Sequence, residues 1–449
     1  MSRPAHPTTD STEETAISTD ELRQEHATDH AAQAPTQVTL DSSASTGPGY
    51  DADRKLPGAP AHGPGSAVPV QSRGERVTSF DVADFPSPTG REEDWRFTPV
   101  DSLRGLLEVP EATASLQVEV VAPAGASYAE LPSETSGRGT AFVPGDRAAV
   151  VAYTSAPSTH VVRIDAEAEL DEPVHVSLRG IGERADGHVV VDAGAHSKAI
   201  VVLDHSGTAA HAGNVEIRVG DGARLTVVSV QQWDDDAVHL GQHDALVGRD
   251  ATFKHVAVTL GGKVVRLSTN VRYDGPGGDA TLLGVYFADA GQHLEHRSFA
   301  DHGAPHCKSN VVYKGALQGD TAHTVWVGDV LIRAAAEGTD TYELNRNLVL
   351  TDGARADSVP NLEIETGEIV GAGHASATGR FDDEQLFYLQ SRGISEDVAR
   401  RLVVRGFFAD VVQQIGVPEV ADRLMSAIEA ELSLSMHSPG SLAPEGVPA

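Results

Sequence analysis

The amino-acid sequence predicts a mainly β protein, a β-solenoid flanked by N-terminal and C-terminal helical segments. Three observations carry that expectation. Between about residues 115 and 365 the chain runs through short segments of four to eight residues, such as HVVVDA, KAIVVLD, RLTVVSVQ, TFKHVAV and SNVVYKG, rich in Val, Leu and Thr and bounded by Gly or Asp. The turns between them recur: AGAHSKAIVV, GDGARLTVVSV, GRDATFKHVAV and GGDATLLGVYF align on Ala195, Ala223, Ala251 and Ala280, at separations of 28, 28 and 29 residues (223−195, 251−223, 280−251). No segment with helical periodicity fits inside such a repeat, which excludes the helical repeat classes and matches one coil of a β-solenoid. A large two-sheet sandwich, with turns every 8 to 12 residues or so, is the competing architecture. The equal spacings favour the solenoid.

The elements follow in order. Residues 1–75, rich in Ala, Thr, Ser, Asp, Pro and Gly, bury too little apolar surface to offset the entropy of ordering and read as a disordered acidic tail. Residues 76–114 read as a helical entry module, with acidic residues ahead of an arginine in GREEDWRFTPVDSLRGLLEV and Trp95, Phe97, Leu103, Leu106 and Leu107 as its packing face. Residues 115–380 form the β-helix core, whose register loosens at LQGDTAHTVWVG and LTDGARADSVPN. Residues 381–434 form a C-terminal helical domain. Its first helix has Asp382 or Asp383 as N-cap and Gly393 as stop, its second runs from a Ser395 cap to Gly416, and its third spans Pro418 to Leu432 with Pro in the tolerated first turn. Residues 435–449 read as a disordered tail.

Charge and cysteine usage narrow the function. With 34 Lys+Arg against 65 Asp+Glu, a formal net charge of −31 argues against nucleic acid and anionic membranes as partners. One cysteine, Cys307, excludes an internal disulfide framework and any cysteine-pair metal motif. The start MSRPAHPTTDSTEET lacks a secretory apolar region, and no apolar run approaches the roughly 18 residues of a membrane helix, so the expectation is a cytoplasmic protein. Neither GxxxxGK[ST] nor GxSxG occurs, which leaves nucleotide hydrolysis and serine-hydrolase chemistry without support.

Three histidine-bearing stretches are candidates for chemistry. In HLEH, His293 and His296 lie three apart on a strand and face opposite sides, which opposes a shared metal. In DHGAPHCK, His302, His306 and Cys307 are borderline and soft ligands within one loop, although a turn with a buried thiol accounts for them as well. In GAGHASATG, His374 stands among residues too small to bury it, between the last strands and the first C-terminal helix. Its imidazole can take a transition metal if further ligands come from elsewhere. Few lie near it in the sequence, which points to a site shared with a second polypeptide.

Four stretches, GREEDWRFTP, SNVVYKGALQGD, PNLEIETGEIVGAGHASATGRFDDEQLFYLQSRGI and ARRLVVRGFFADVV, together resemble the SufB/SufD family of iron-sulfur cluster assembly scaffolds over roughly residues 85 to 430. The resemblance implies a right-handed parallel β-helix between helical termini. It implies a SufB-SufD heterodimer in which each subunit holds one copy of the ATPase SufC through its C-terminal helices. A nascent cluster would then form at the interface, with a cysteine from SufB and a histidine from SufD; His374 matches that histidine and becomes the candidate metal ligand. SufB members carry their cysteine ahead of the strand that here reads NRNLVLTDG, where Arg346 stands, so the chain is most like SufD. The function so implied is a non-catalytic scaffold: SufC hydrolyses ATP, the iron-sulfur cluster is transient and shared with SufB, and a reduced flavin on the complex is left open. Phe407 and Phe408 are adjacent, so one helix face cannot bury both, and the expectation is one core residue and one partner anchor. The alternatives are a polysaccharide-acting β-helix hydrolase or lyase, and a homodimeric scaffold using the DHGAPHC loop as its own metal site.

Overall fold

The computed structural model describes residues 76–435, apart from Arg104 and Asp382; the tail expected at 1–75 and all but Ser435 of the tail expected at 435–449 lie outside the described residues. Two short strands, β1 (Gln117–Val121) and β2 (Ala126–Pro132), lead to an α-helix, α1 (Arg147–Ser155). The strands continue as β3 (Ser158–Ile164), β4 (Val174–Ala193), β5 (Lys198–Val219), β6 (Arg224–Trp233), β7 (Val238–Val247), β8 (Thr252–Thr259) and β9 (Val264–Tyr273). They end with β10 (Asp279–Ala288), β11 (His293–His302), β12 (Lys308–Leu317), β13 (His323–Ile332), β14 (Asp340–Val349), β15 (Arg355–Ile364) and β16 (Gly371–Arg380). Helices α2 (Asp383–Ser391), α3 (Glu396–Ile415) and α4 (Pro418–Ser435) close the described chain.

The stacking order, β15-β13-β11-β9-β7-β5-β6-β8-β10-β12-β14-β16, is that of a β-solenoid with two parallel columns that meet at β5. The first half of β5 pairs with β6 and its second half with β7. Only β1 and β2 pair antiparallel, with β4 and β3. In-register positions Lys198, Arg224, Thr252, Asp279, Lys308, Asp340 and Gly371 give successive coils of 26, 28, 27, 29, 32 and 31 residues (224−198, 252−224, 279−252, 308−279, 340−308, 371−340). The coil was therefore read correctly, but the alanine alignment only in part. Ala223 and Ala251 share a column, whereas Ala195 lies two residues before the matching position, Ser197, and Ala280 two residues after it, Gly278. The strands hold their length while the corners absorb insertions.

Both outer faces of the solenoid are covered. Over β5, β7 and β9, Trp95, Leu103, Leu106 and Leu107 pack with Ala148 and Ala152 of α1 against Ala210, Ala212, Val238, Leu240 and Val264. Over β6, β8, β10 and β12, Val404, Phe408, Val411, Leu424 and Ile428 of α3 and α4 pack on Val228, Val256, Leu283, Val285 and Val312. A strand buried on two sides has no polar phase, which is why these strands read as continuous Val and Leu runs.

Two expectations need correction. The entry module contains no α-helix among its described residues, only 3-10 turns at Val82–Asp84 and Val100–Ser102. Pro86, Pro88 and Pro99, with Gly90 and Gly105 at φ of 78° and 74°, interrupt every helical turn, and Phe97 is only half-buried. The stretch expected to be free of helix contains α1, where the Asp146 carboxylate accepts from the Ala149 N–H at 2.9 Å and the Ala148–Ala152 run is buried. At the C-terminal end the boundaries predicted for α3 hold: Ser395 is its N-cap, and Gly416, at φ 72°, closes it in the left-handed region where Gly carries no penalty, while α4 runs past the predicted Leu432 to Ser435.

Candidate functional site

The solenoid ends at β15 and β16, each of which pairs on one side only. Along β14 the inward phase is polar. Thr341, Glu343, Asn345 and Asn347 are buried, while Tyr342 and Arg346 are exposed on the opposite phase. The Asn345 amide donates to the Tyr286 hydroxyl at 2.9 Å, Tyr286 donates to Asn347 Oδ1 at 2.8 Å, and Asn347 Nδ2 donates to Ser358 at 3.1 Å and Thr378 at 3.5 Å. This network carries hydrogen bonding from the interior to the last coil.

β16 lies in register on β14, with His374 beside Glu343, Ser376 beside Asn345 and Thr378 beside Asn347. In-register residues of parallel strands point to the same face, so these three occupy the inward phase. They are nevertheless exposed, because no further coil among the described residues covers β16. Gly373 and Ala375 flank the histidine and leave its ring accessible. The register neighbour Glu343 is buried, and neither carboxylate oxygen has a hydrogen-bond partner among the described residues. Burial pushes its carboxyl well above the ordinary range, and the Asp329 charge adds to the effect. An exposed imidazole thus stands beside a buried acid whose charged form is disfavoured. The histidine was legible in the sequence. Glu343 was not singled out, although DTYELNRNLV alternates polar residues on the phase that a core would make apolar.

The adjacent phenylalanines differ in burial. Phe408 is fully buried in the core under α3, whereas Phe407 is half-buried, with the Lys314 ammonium 5.1 Å from its ring centroid. Lys314 also donates to the Phe407 carbonyl at 2.9 Å and to Asp410 at 2.6 Å, tying α3 to β12. Nearby, Phe387 and Tyr388 of α2 and Val398 and Leu402 of α3 are exposed.

The other histidine candidates separate. His293 contacts His323 (Nδ1 to Nδ1, 3.1 Å) and Glu295 (3.3 Å) on the outer face, while His296 stacks inward on Tyr286 at 4.7 Å and pairs with the Thr259 hydroxyl at 2.9 Å. In the DHGAPHC loop, His302 turns inward onto Tyr273 and Ser309, His306 is exposed, and Cys307 is buried in the corner column of Ser197, Ala223, Ala251 and Gly278. The loop does not form a common ligand set. Burial also pushes the Cys307 thiol up, making it an inert small core residue. Among the described residues the one group of ring nitrogens and acids close enough to hold an ion is His205, His211 and His239, inside the first coils.

Comparison with known proteins adds to this geometry. The profile of the SUF system FeS cluster assembly, SufBD core domain, matches residues 178–407. The chain is 56% identical over 375 residues to an iron-sulfur cluster assembly SufBD family protein of Mycobacterium tuberculosis, covering 82% of this chain and 94% of that protein. A SufBD family protein of Mycobacterium leprae is 54% identical over 381 residues, covering 83% and 97%. A more distant one from Synechocystis is 27% identical over 213 residues, 47% of each chain.

Proposed function

This chain belongs to the SufBD family of iron-sulfur cluster assembly proteins, and from that premise we propose that it is a SufD-like, non-catalytic scaffold subunit of a cytoplasmic SufB-SufC-SufD complex. The observation that carries the proposal is the unfinished last coil. His374 is exposed on an edge strand, beside a buried and unpartnered glutamate, where a further layer of protein would complete the solenoid. Edge strands offer backbone donors and acceptors to a second chain. The only thiol, Cys307, is buried in a corner column away from β16, so a cluster at His374 needs a thiolate from the partner, SufB. The cluster is cargo, held between two chains while it forms.

SufC docks through the C-terminal helices and hydrolyses the ATP. Since Phe408 belongs to the core, its contact falls on Phe407 and the exposed face of Phe387, Tyr388, Val398 and Leu402. No described helix is long and apolar enough to cross a membrane. The test is co-expression of the tagged full chain with SufB and SufC, followed by assay of the isolated complex for iron and sulfide. The expected result is a three-component complex carrying both; a chain that never retains SufB overturns the proposal.

A further inference from the structure

We propose that the interior of the first coils is a binding site for a divalent first-row transition ion, ligated by His205, His211 and His239. It lies at the opposite end of the columns from His374 and is independent of the cluster-assembly reading.

The chain's topology brings the three rings together. His211, on the second half of β5, and His239, on β7, are Cα partners one coil apart. His205 lies on the first half of the same β5, and Gly207, at φ 75°, stands between the halves. Ring centroids are 6.2 Å apart for His205 and His211, 5.1 Å for His205 and His239, and 4.9 Å for His211 and His239. One ring nitrogen from each lies within 4.8 Å of the others.

Contacts behind the rings hold each of them in one orientation. Nδ1 of His205 faces the Val230 carbonyl at 3.2 Å and Nδ1 of His211 the Ala185 carbonyl at 2.8 Å. A carbonyl only accepts, so both nitrogens carry the hydrogen and both Nε2 lone pairs are free. Trp233 Nε1–H donates to His239 Nδ1 at 3.1 Å, which places the hydrogen of neutral His239 on Nε2. Coordination through that nitrogen as a neutral imidazole moves the hydrogen to Nδ1 and turns the Trp233 N–H away, with no net release of a proton.

The rings pack directly against backbone that carries no side chain. Gly187, Gly213 and Gly241 form an in-register ladder beside the rings. A Cβ on Gly213 would meet His211 Nε2 at 2.2 Å, and one on Gly241 would meet His239 Nε2 at 3.2 Å. The three histidines border a cavity of about 20 Å³, room for one water-sized occupant. The glycines seat these rings as Gly284, Gly315 and Gly328 seat Tyr313, Tyr286 and Trp326 in later coils; the cavity between the three histidines is what a packed cluster alone does not need. Burial, the leading effect at each ring, lowers His211 to about 4 and His205 and His239 well below their ordinary value, keeping all three in the neutral form that ligates. Three neutral imidazoles with an open fourth position suit Zn²⁺, Co²⁺ or Fe²⁺ in tetrahedral geometry with one water.

The probe is Co²⁺. Full-length chain without an oligohistidine tag is unfolded in denaturant with chelator, refolded with Co²⁺ and desalted. The expected result is one retained Co²⁺ per chain with the visible absorption of a tetrahedral centre, lost in His211→Gln and His239→Gln and kept in His374→Ala. Natively folded wild type that retains no ion, or folded variants that bind as wild type does, overturns the site. If both variants fail to fold, the paramagnetically shifted ring protons of the Co²⁺-loaded wild type decide: three shifted imidazoles from His205, His211 and His239 support the site, and their absence overturns it.

Discussion

Truncating Phe408 should loosen the C-terminal helices far more than truncating its neighbour Phe407. Phe408 is fully buried among Val404, Val411, Val412 and Leu424 and the outer face of β8, β10 and β12, so Phe408→Ala leaves a cavity and costs about 3–5 kcal/mol. Phe407 is half-buried, so its removal forfeits about 1 kcal/mol of transfer energy and about 0.5–1 kcal/mol of contact with the Lys314 ammonium. The loss is local, because a solenoid coil depends on its neighbours and not on a helix docked on its flank. Hydrogen exchange of the α3 and α4 amides is therefore a better assay than a melting temperature. Phe408→Ala should raise their exchange rates by roughly two to almost four powers of ten, and Phe407→Ala by about one. Equal loosening by the two variants, or a larger effect at Phe407, would refute the assignment of Phe408 to the core and Phe407 to the rim.

Three further predictions follow from buried ionisable groups. Glu343 has a folded pKa above its unfolded value of about 4.3, so the native state holds a proton that the unfolded chain releases, and stability falls as pH rises from there. Glu343→Gln should thus stabilise the chain at pH 7 and change little at pH 4, read by denaturant unfolding; an equal effect at both pH values would contradict the buried acid. At Glu295, burial alone would raise the pKa, yet Arg266, His293 and Arg297 hold the carboxyl well below the ordinary range, and Thr98 donates to it at 2.6 Å. Its contribution is present above the unfolded pKa and is lost as pH falls toward the folded one. Glu295→Gln should cost about 3–5 kcal/mol at neutral pH, the usual penalty for orphaning a buried charge, and progressively less in acid; a pH-independent loss would count against the ion network. Cys307 should resist iodoacetamide in the native chain and react fully in denaturant, and rapid native modification would show that the corner column is open.

Much of the fold was legible because its physics is local. The strands announce themselves through β-branched runs, the coil through its turns, and the last helices through Ser395 and Gly416. What escaped depended on neighbours distant in sequence. The α1 helix is only nine residues long, too short to show a period within a β region, and its stability comes from burial against β5. Glu343 gains meaning only when the solenoid is known to stop one coil later. Of the three clustered histidines, His211 and His239 differ by 28 (239−211) and could have been stacked from the repeat alone. His205 joins them only across the two halves of a single strand, which no periodicity reports.

The central claim is that His374 on the uncovered last coil ligates a cluster shared with a partner chain. His374→Ala removes the imidazole from an exposed strand whose neighbours are Gly373 and Ala375, so the fold and the docking of SufB and SufC should survive. The decisive measurement is the iron and sulfide content of the purified His374→Ala complex beside that of the wild type. An intact three-component complex that has lost its iron and sulfide is the predicted result, and an intact complex with full cluster content would contradict the account.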